Sequence, residues 1–203
     1  IHIESSMLHP VEYVRAVAPR GVLGVVTDMH EIANVGGLDA VRLMMRWSKG
    51  LPCDFFFMLP SCVPASSLET SGTSITTSDL RKMRRWKNVV GLGELMNFPG
   101  VVAASDDVLE KIQLFENGVV DGHAPCLSGK SLNAYAAAGI QSDHESIGLE
   151  EAEEKLARGL YLMIREGSSE KNLNDLLPLV DDGTYKRCLL VVDDRSCVDL
   201  LTD

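Results

Sequence analysis

The chain has 203 residues, of which 45% are hydrophobic and 24% charged, and its formal net charge at pH 7 is -10. This composition predicts one globular domain with a substantial core, and the acidic balance argues against binding to a nucleic-acid backbone. No run of about 18 apolar residues occurs, so we predict no transmembrane helix. The five cysteines are scattered and form no CxxC pair, which favours a reducing, cytoplasmic location.

Apolar runs alternate with helix-like segments along the whole chain. A short apolar run is typical of a buried strand, and alternation of strands with helices predicts parallel βαβ units. The predicted strands are 1–3, 21–27, 54–59, 89–93, 118–121, 139–141, 160–164 and 187–192. The predicted helices are 10–18, 38–49, 78–86, 106–117, 131–138, 149–158 and 170–180.

The spacing of polar residues at the strand ends supports one repeating unit. His2 and His30 are 28 residues apart, Glu94 and His123 are 29 apart, and His123 and His144 are 21 apart. Each interval fits one strand, one helix and their loops. Eight such strands predict an α/β fold, a TIM-type (β/α)8 barrel, as one domain over 1–203. Such barrels usually have about 250 residues, so we expect an incomplete barrel, truncated at both ends.

Metal-binding types of side chain recur at the downstream ends of these apolar runs. Imidazole and carboxylate are the usual ligands of catalytic zinc, iron and manganese. Each residue taken alone has an ordinary interpretation as a solvated strand end, whereas the whole series favours a metal site at the barrel mouth. The series is His2, Glu94, His123, His144 and Asp193.

Two positions keep a second interpretation. Asp193 has the chemistry to bind metal and to accept a proton from bound water, and the alternative is a solvated turn at 193–195. His30 is either an auxiliary metal ligand or a substrate contact, and the alternative is an Asp-capped helix start at 32–34.

Three other sequence patterns bear on function. GHAPCLSGKS at 122–131 resembles a phosphate loop, but it has six residues between the glycines where that motif has four. The basic residues within 81–87 lie on a predicted helix, so a solvated outer face is expected. The Ser-, Thr- and Pro-rich loop 60–77 follows a strand on the predicted active face, and loops of this length are commonly functional or disordered.

Several segments together resemble the adenine deaminase family of the amidohydrolase superfamily. The resemblance covers nearly the whole chain. The segments are HIESSM at 2–7, HEIANV at 30–35, PSCVPASSLETSG at 60–72, GLGELMNFPGV at 91–101, DGHAPCLSGKSLNAYAAAGIQSDHE at 121–145, MIREGS at 163–168 and DDR at 193–195.

The resemblance implies a binuclear metal centre that hydrolyses adenine to hypoxanthine and ammonia. His2 would be the second member of an HxH pair, Glu94 would bridge the metals, and Asp193 and Glu94 would act in catalysis. Manganese or iron is the implied metal, with zinc as an alternative. The first histidine of the pair would precede the first residue of this chain. The implied ligands are His2, Glu94, His123, His144 and Asp193, and the further candidates for substrate or auxiliary metal are His30, Glu69, Arg165 and Glu166.

Departures from the family pattern lie beside these residues, at Met29, Cys126, Val192 and 196–197. Two alternatives to adenine deamination remain at this point. One is another amidohydrolase acting on a cyclic amide or a different aminopurine, and the other is a fragment without catalytic activity. For partners we expect adenine and a homo-oligomer, with a dimer as the first expectation, and neither nucleic acid nor membrane.

Overall fold

The computed structural model describes residues 1–66 and 68–202, and within them seven strands alternate with nine α-helices. The strands are β1 (Gly24–Asp28), β2 (Asp54–Leu59), β3 (Val89–Leu95), β4 (Val119–Gly122), β5 (Ser142–Asp143), β6 (Tyr161–Arg165) and β7 (Cys188–Val191). The helices are α1 (Pro10–Val17), α2 (His30–Trp47), α3 (Thr77–Met83), α4 (Phe98–Val102), α5 (Asp106–Gln113), α6 (Gly129–Ala137), α7 (Leu149–Ala157), α8 (Leu173–Leu176) and α9 (Cys197–Thr202). Short 3-10 helices span Glu4–Ser6, Ala18–Arg20, Leu177–Leu179 and Tyr185–Arg187.

The strands form two parallel sheets that follow chain order, β1-β2-β3-β4 and β5-β6-β7. Parallel neighbours need a crossover connection, and a helix supplies it between successive strands. The two sheets meet at β4 and β5, where the Gln141 N–H donates to the Val120 carbonyl at 3.0 Å. This arrangement continues the order of strands from one sheet into the next.

The other junction between the sheets runs through the first three residues. The Ile1 amino group donates to the Val26 carbonyl at 3.2 Å, and the Asp28 N–H donates to the Ile1 carbonyl at 3.1 Å. His2 forms a parallel bridge with Asp194, just after β7. The strands therefore return on themselves as an incomplete TIM-type barrel, which confirms the predicted class. The predicted strand 1–3 is wrong in extent, because only His2 makes a ladder contact.

Three predicted boundaries differ in the structure. Strand 139–141 lies later, at Ser142–Asp143, because Gly139 with φ 101° still closes the preceding helix. Helix 38–49 begins earlier, at His30, and is broken inside by Gly37 at φ 63°, a conformation that favours glycine. Helix 170–180 shrinks to α8 and a 3-10 turn, since Pro178 lacks the N–H that would continue it.

Two helices were not predicted. α4 begins in the segment between predicted strand 89–93 and predicted helix 106–117, and the Gly100 N–H donates to Asn97 Oδ1 at 3.0 Å as its cap. α9 follows the last strand at Cys197–Thr202. Both are short, at five and six residues, and periodicity is a weak signal over such a length.

The main hydrophobic core lies between the strands and the surrounding helices. Leu59, Leu80, Met83 and Leu92 are completely buried in it, and burial of each such side chain stabilises the fold by about 1.5–3 kcal/mol. A smaller cluster that includes Leu162 packs behind β6. The loops at the carboxyl ends of the strands are therefore attached to a well-packed core. Among the described residues no helix is both long and apolar enough to cross a membrane.

Candidate metal centre

The carboxyl ends of the strands bring the predicted ligands together. Glu94 lies on β3, His123 follows β4, His144 follows β5, and Asp193 comes two residues after β7. His2 reaches the same place through its bridge beside β7. His2, Glu94 and His144 are each less than a tenth exposed.

The first group consists of Glu94, His123 and His144. Glu94 Oε2 lies 3.1 Å from His123 Nδ1 and 3.6 Å from His144 Nε2, and the two nitrogens are 3.2 Å apart. Ligands about 2.0–2.1 Å from a tetrahedral ion are about 3.3 Å from each other. The three atoms therefore have the spacing of one face of a metal site.

The second group is centred on His2, whose ring contacts Glu94 and Asp193; Glu94 with His30, and Asp193 with Asp194, form the two converging sets around it. His2 Nε2 lies 2.5 Å from Glu94 Oε1 and 3.3 Å from Asp193 Oδ1. His2 Nδ1 donates to the Asp28 carbonyl at 3.0 Å, which fixes the ring with Nε2 toward the carboxylates. Metal-binding histidines are commonly oriented by such a bond from the other ring nitrogen. Glu94 thus offers one oxygen to each group.

The buried imidazoles and carboxylates of the cluster shift each other's pKa values. Burial lowers the pKa of His2, but the carboxylates of Asp193 and Glu94 outweigh it and raise that pKa well above its usual value. For Glu94, burial raises the pKa, but His123, His144 and His2 bring it well below the usual range. A divalent cation would replace the histidine protons as the charge that compensates the carboxylate.

His30 lies at the edge of the cluster, as the first residue of α2. Its ring makes a T-shaped contact with His2 at 4.7 Å between centroids, and its Nδ1 is 3.7 Å from Asp28 Oδ2. Burial lowers the pKa of His30, but Asp28 raises it to about 9 overall. The helix is not capped by Asp28: Met29 is the N-cap residue, and the Ile32 N–H donates to Glu4 Oε1 at 3.4 Å. The Asp-capped alternative is therefore wrong.

Asp28 itself was not among the predicted ligands. It is 5% exposed, and within residues 1–66 and 68–202 neither of its carboxylate oxygens has a hydrogen-bond partner. His30 Nδ1 is unpartnered in the same sense. Buried polar atoms of this kind usually have a partner such as water or an ion. Their position beside His2 fits a donor set that extends past the two groups above.

Arg165 fixes the carboxylate of Asp193. Its Nη1 lies 2.5 Å from Asp193 Oδ2 and 2.7 Å from Glu145 Oε1. Burial alone would raise the pKa of Asp193, but His2 and His144 lower it below the usual range. Asp193 also adopts a left-handed backbone with φ 59°, which Asp tolerates better than most residues. The side chain is thus an ionised carboxylate with one oxygen directed to His2.

The remaining candidates differ in position. Glu166 is half-buried, lies 3.6 Å from Lys171 and lines the cavity beside the cluster. Glu69 is exposed in loop 60–77, and in the described part of the chain it belongs to no group of converging ligands. The same loop is tied to the site scaffold, since Ser61 donates to the Glu94 carbonyl. Its residue 67 lies outside the described residues.

Comparison with known proteins fits this arrangement. Residues 1–202 match the amidohydrolase family. The chain belongs to the amidohydrolase family. Adenine deaminase of Dehalococcoides mccartyi is 57% identical over 202 residues, covering 100% of this chain and 35% of that protein. Adenine deaminase 2 of Carboxydothermus hydrogenoformans is 52% identical over 201 residues (99% and 35%), and adenine deaminase of Archaeoglobus fulgidus is 52% identical over 203 residues (100% and 36%). The chain spans about a third of the length of these relatives.

Amidohydrolases are metal-dependent, and this amidohydrolase chain has His, Glu and Asp groups that fit such a centre. Sequence reasoning missed Glu145, whose Oε1 lies 3.4 Å from His144 Nε2 and 3.6 Å from His123 Nδ1. Its place directly after His144 was a usable signal. It also missed Tyr135, which is fully buried, accepts from the His123 N–H at 3.0 Å and donates to the Leu95 carbonyl at 3.1 Å. Nothing in the ligand spacing points to that tyrosine.

A cavity of about 690 Å³ begins at the cluster of this amidohydrolase chain. It extends between β1 and β7, where Val26, Met58, Met163 and Leu190 give it an apolar lining. Binding sites for small molecules commonly have volumes of about 300–1,000 Å³ with a few polar groups at one end. The cavity matches that description, with its polar end at the candidate ligands.

Proposed function

We propose that the protein containing this chain hydrolyses adenine to hypoxanthine and ammonia. The observation that carries the proposal is the convergence of five side chains at one barrel mouth, in a chain whose curated relatives are called adenine deaminase. The five are His2, Glu94, His123, His144 and Asp193.

Two divalent cations would occupy the centre, manganese or iron in the first instance and zinc as the alternative. Glu94, His123 and His144 would hold one, and His2, Glu94 and Asp193 the other. When bound, the cations supply a nucleophilic hydroxide by lowering the pKa of water. Glu94 would bridge, because its two oxygens already face the two groups separately.

Asp193 is proposed as the residue that moves the proton. It would accept a proton from the attacking water and return it to the amine leaving C6 of adenine, so that the C–N bond breaks with loss of ammonia. Its ionised state supports the first half of this role, since only a carboxylate can accept. Arg165 would keep the carboxylate in place during both transfers, through the contact at 2.5 Å.

Three further residues are proposed for auxiliary contacts. His30, with the unpartnered carboxylate of Asp28, would bind an auxiliary metal or the substrate. Arg165 and Glu166 would contact the edge of the purine, because both lie at or beside the cavity. Glu69 stays a sequence prediction, since its side chain is exposed.

The deciding experiment uses a version of the protein that includes the flanking segments its relatives have. With manganese supplied, we expect hypoxanthine and ammonia to form in equal amounts from adenine, with about two metal ions per chain. No product from a protein that carries its metal would exclude adenine deamination. A panel of cyclic amides and other aminopurines would then test the alternative amidohydrolase reactions, whose metal ligands are the same.

Metal content of the 203-residue chain tests the remaining alternative, a fragment without activity. A value near two per chain supports an assembled centre, and a value near zero supports the fragment. A cytoplasmic location, a role in purine salvage or adenine catabolism, and a homodimer remain part of this proposal.

A further inference from the structure

A fully buried lysine lies directly behind the loops that follow β4 and β5. Lys155, on α7, is 1% exposed, and lysine is almost never buried to this extent unless its charge is paired. Its Nζ lies 2.6 Å from Asp143 Oδ2 and 2.7 Å from Glu151 Oε1, and it donates to the Ala124 carbonyl at 2.9 Å. We call Asp143, Glu151 and Lys155 the buried ion network.

The buried ion network holds the loop that carries His123. Asp143 Oδ1 accepts from the Ala124 N–H at 2.8 Å, while the lysine Nζ donates to the carbonyl of the same residue. Glu151 Oε1 accepts from the Cys126 N–H at 2.8 Å. Three hydrogen bonds therefore fix the backbone immediately after the histidine.

The same network holds the loop that carries His144. Asp143 directly precedes this histidine and is itself completely buried. Its Oδ2 accepts from the Glu145 N–H at 3.0 Å and from the Ser146 hydroxyl at 3.3 Å. One carboxylate thus bonds to both loops, and the lysine compensates its charge.

The separation of the two imidazoles depends on the relative position of these loops. His123 Nδ1 and His144 Nε2 are 3.2 Å apart, a distance that suits one metal ion. We propose that Lys155 is a positioning residue for the metal centre, because its ion pairs with Asp143 and Glu151 fix that separation. This inference rests on the proposed metal centre. Removal of a group that orients metal ligands typically weakens metal binding by about 10- to 100-fold.

The test is a cobalt titration of the 203-residue chain, followed by visible absorption, which reports both affinity and ligand geometry. In Lys155→Met we expect Co²⁺ to bind about 10- to 100-fold more weakly and with an altered spectrum. The matched control is Arg158→Met at the C-cap of the same helix, where the guanidinium pairs with Glu154 at 2.9 Å on a partly exposed surface. The control should keep the wild-type affinity and spectrum.

Each outcome decides for or against the positioning role. Wild-type cobalt affinity in folded Lys155→Met, or an equal loss in the control, overturns it. A weaker titration with an unchanged spectrum that follows only the folded fraction also overturns it. If circular dichroism shows that Lys155→Met is unfolded, Asp143→Asn decides in the same titration, because it keeps an oxygen for Ala124 and removes the charge. If the wild-type 203-residue chain binds no cobalt, which supports the fragment alternative, the same titrations on the version with the flanking segments decide, and equal affinity of Lys155→Met and wild type there overturns the positioning role.

Discussion

The loops after β4 and β5 are hydrogen-bonded to the ion network of a buried lysine, Lys155. His2 and Asp193, in contrast, lie beside each other, and Asp193 is paired with Arg165. On the first side, the charges of the supporting groups are paired without any metal. On the second side, His2 is fixed by the Asp28 carbonyl and Asp193 by Arg165, and these two side chains are 3.3 Å apart. The difference teaches that a buried ion network outside the candidate ligands supports the first side, whereas a backbone carbonyl and one arginine support the second.

The two junctions between the sheets, which we call the β4–β5 seam and the β7–β1 seam, also differ from each other. At the β4–β5 seam, the Gly122 N–H donates to Ser142 Oγ at 3.3 Å and the backbones approach closely. At the β7–β1 seam, the ladder contact is the single bridge of His2 with Asp194, and a cavity of about 690 Å³ lies below it. Leu190 in this seam is 72% exposed. His123 and His144 thus follow the two strands of the β4–β5 seam, whereas His2 and Asp193 lie beside the β7–β1 seam.

Removal of the buried lysine charge should give the largest effect on stability. Lys155→Met leaves Asp143 and part of Glu151 as uncompensated buried negative charge, which typically costs about 3–5 kcal/mol. Urea unfolding should show that loss relative to wild type, while Arg158→Met, whose pair is partly exposed, should change stability by about 0–1 kcal/mol. Equal losses in the two variants would show that the buried ion network contributes no more to stability than a partly exposed ion pair.

Loss of the Glu94 carboxylate, which contacts both His2 and His123, should weaken metal binding on both sides of the site. Glu94→Gln removes the charge that faces His2 on one oxygen and His123 on the other. We expect metal affinity to fall by more than about 100-fold, beyond the loss caused by a supporting residue. Dialysis followed by elemental analysis would measure it. Two ions per chain retained in the variant would contradict the bridging role.

The stability of the metal-free chain should depend on pH through His30, which lies beside His2. His30 has a folded pKa of about 9, above its unfolded value, so its stabilising effect is full below about pH 6.5. That effect is lost as the pH rises through about 9, and it amounts to about 3 kcal/mol. Urea unfolding at pH 6 and 9.5 should show a smaller decrease in His30→Gln than in wild type. The same decrease in both proteins would show that His30 is not the group responsible.

A methyl group added at the β4–β5 seam and one added on β1, where it faces β2, should have unequal effects. In Gly122→Ala the new Cβ would lie 2.1 Å from the Ser142 carbonyl oxygen, so the β4–β5 seam must shift, at a cost of about 1–3 kcal/mol. In Gly24→Ala the nearest atom is 3.6 Å away, an ordinary contact, and stability should change by no more than about 0.5 kcal/mol. Thermal unfolding of the two variants measures both. A larger loss at Gly24 would mean that the β1 edge is the tighter one.

The sequence was sufficient to predict which side chains converge at the strand ends, but not which residues support them. Glu94, His123 and His144 could be found because strand ends recur at regular spacing and parallel strands place those ends at one face. Lys155 could not be found this way, since a lysine on an amphipathic helix normally faces solvent, and only its packing shows that it is buried.

Some predicted boundaries of strands and helices were wrong for a related reason. β5 is two residues long and is held mainly by its neighbours, so the apolar run at 139–141 predicted it too early. α2 is broken at Gly37, with φ 63°, next to Thr73 of loop 60–77. Contacts between residues far apart in the chain decide such details, and a local pattern does not contain them.

Glu94 has one further consequence, for the way in which the centre would load. Its Oε1 and Oε2 belong to one rigid planar group, with one oxygen beside His2 and the other beside His123. Rotation that improves the fit of one oxygen must move the other. Occupancy of one ion position would therefore change the affinity of its neighbour, and the two equilibria would be linked instead of independent.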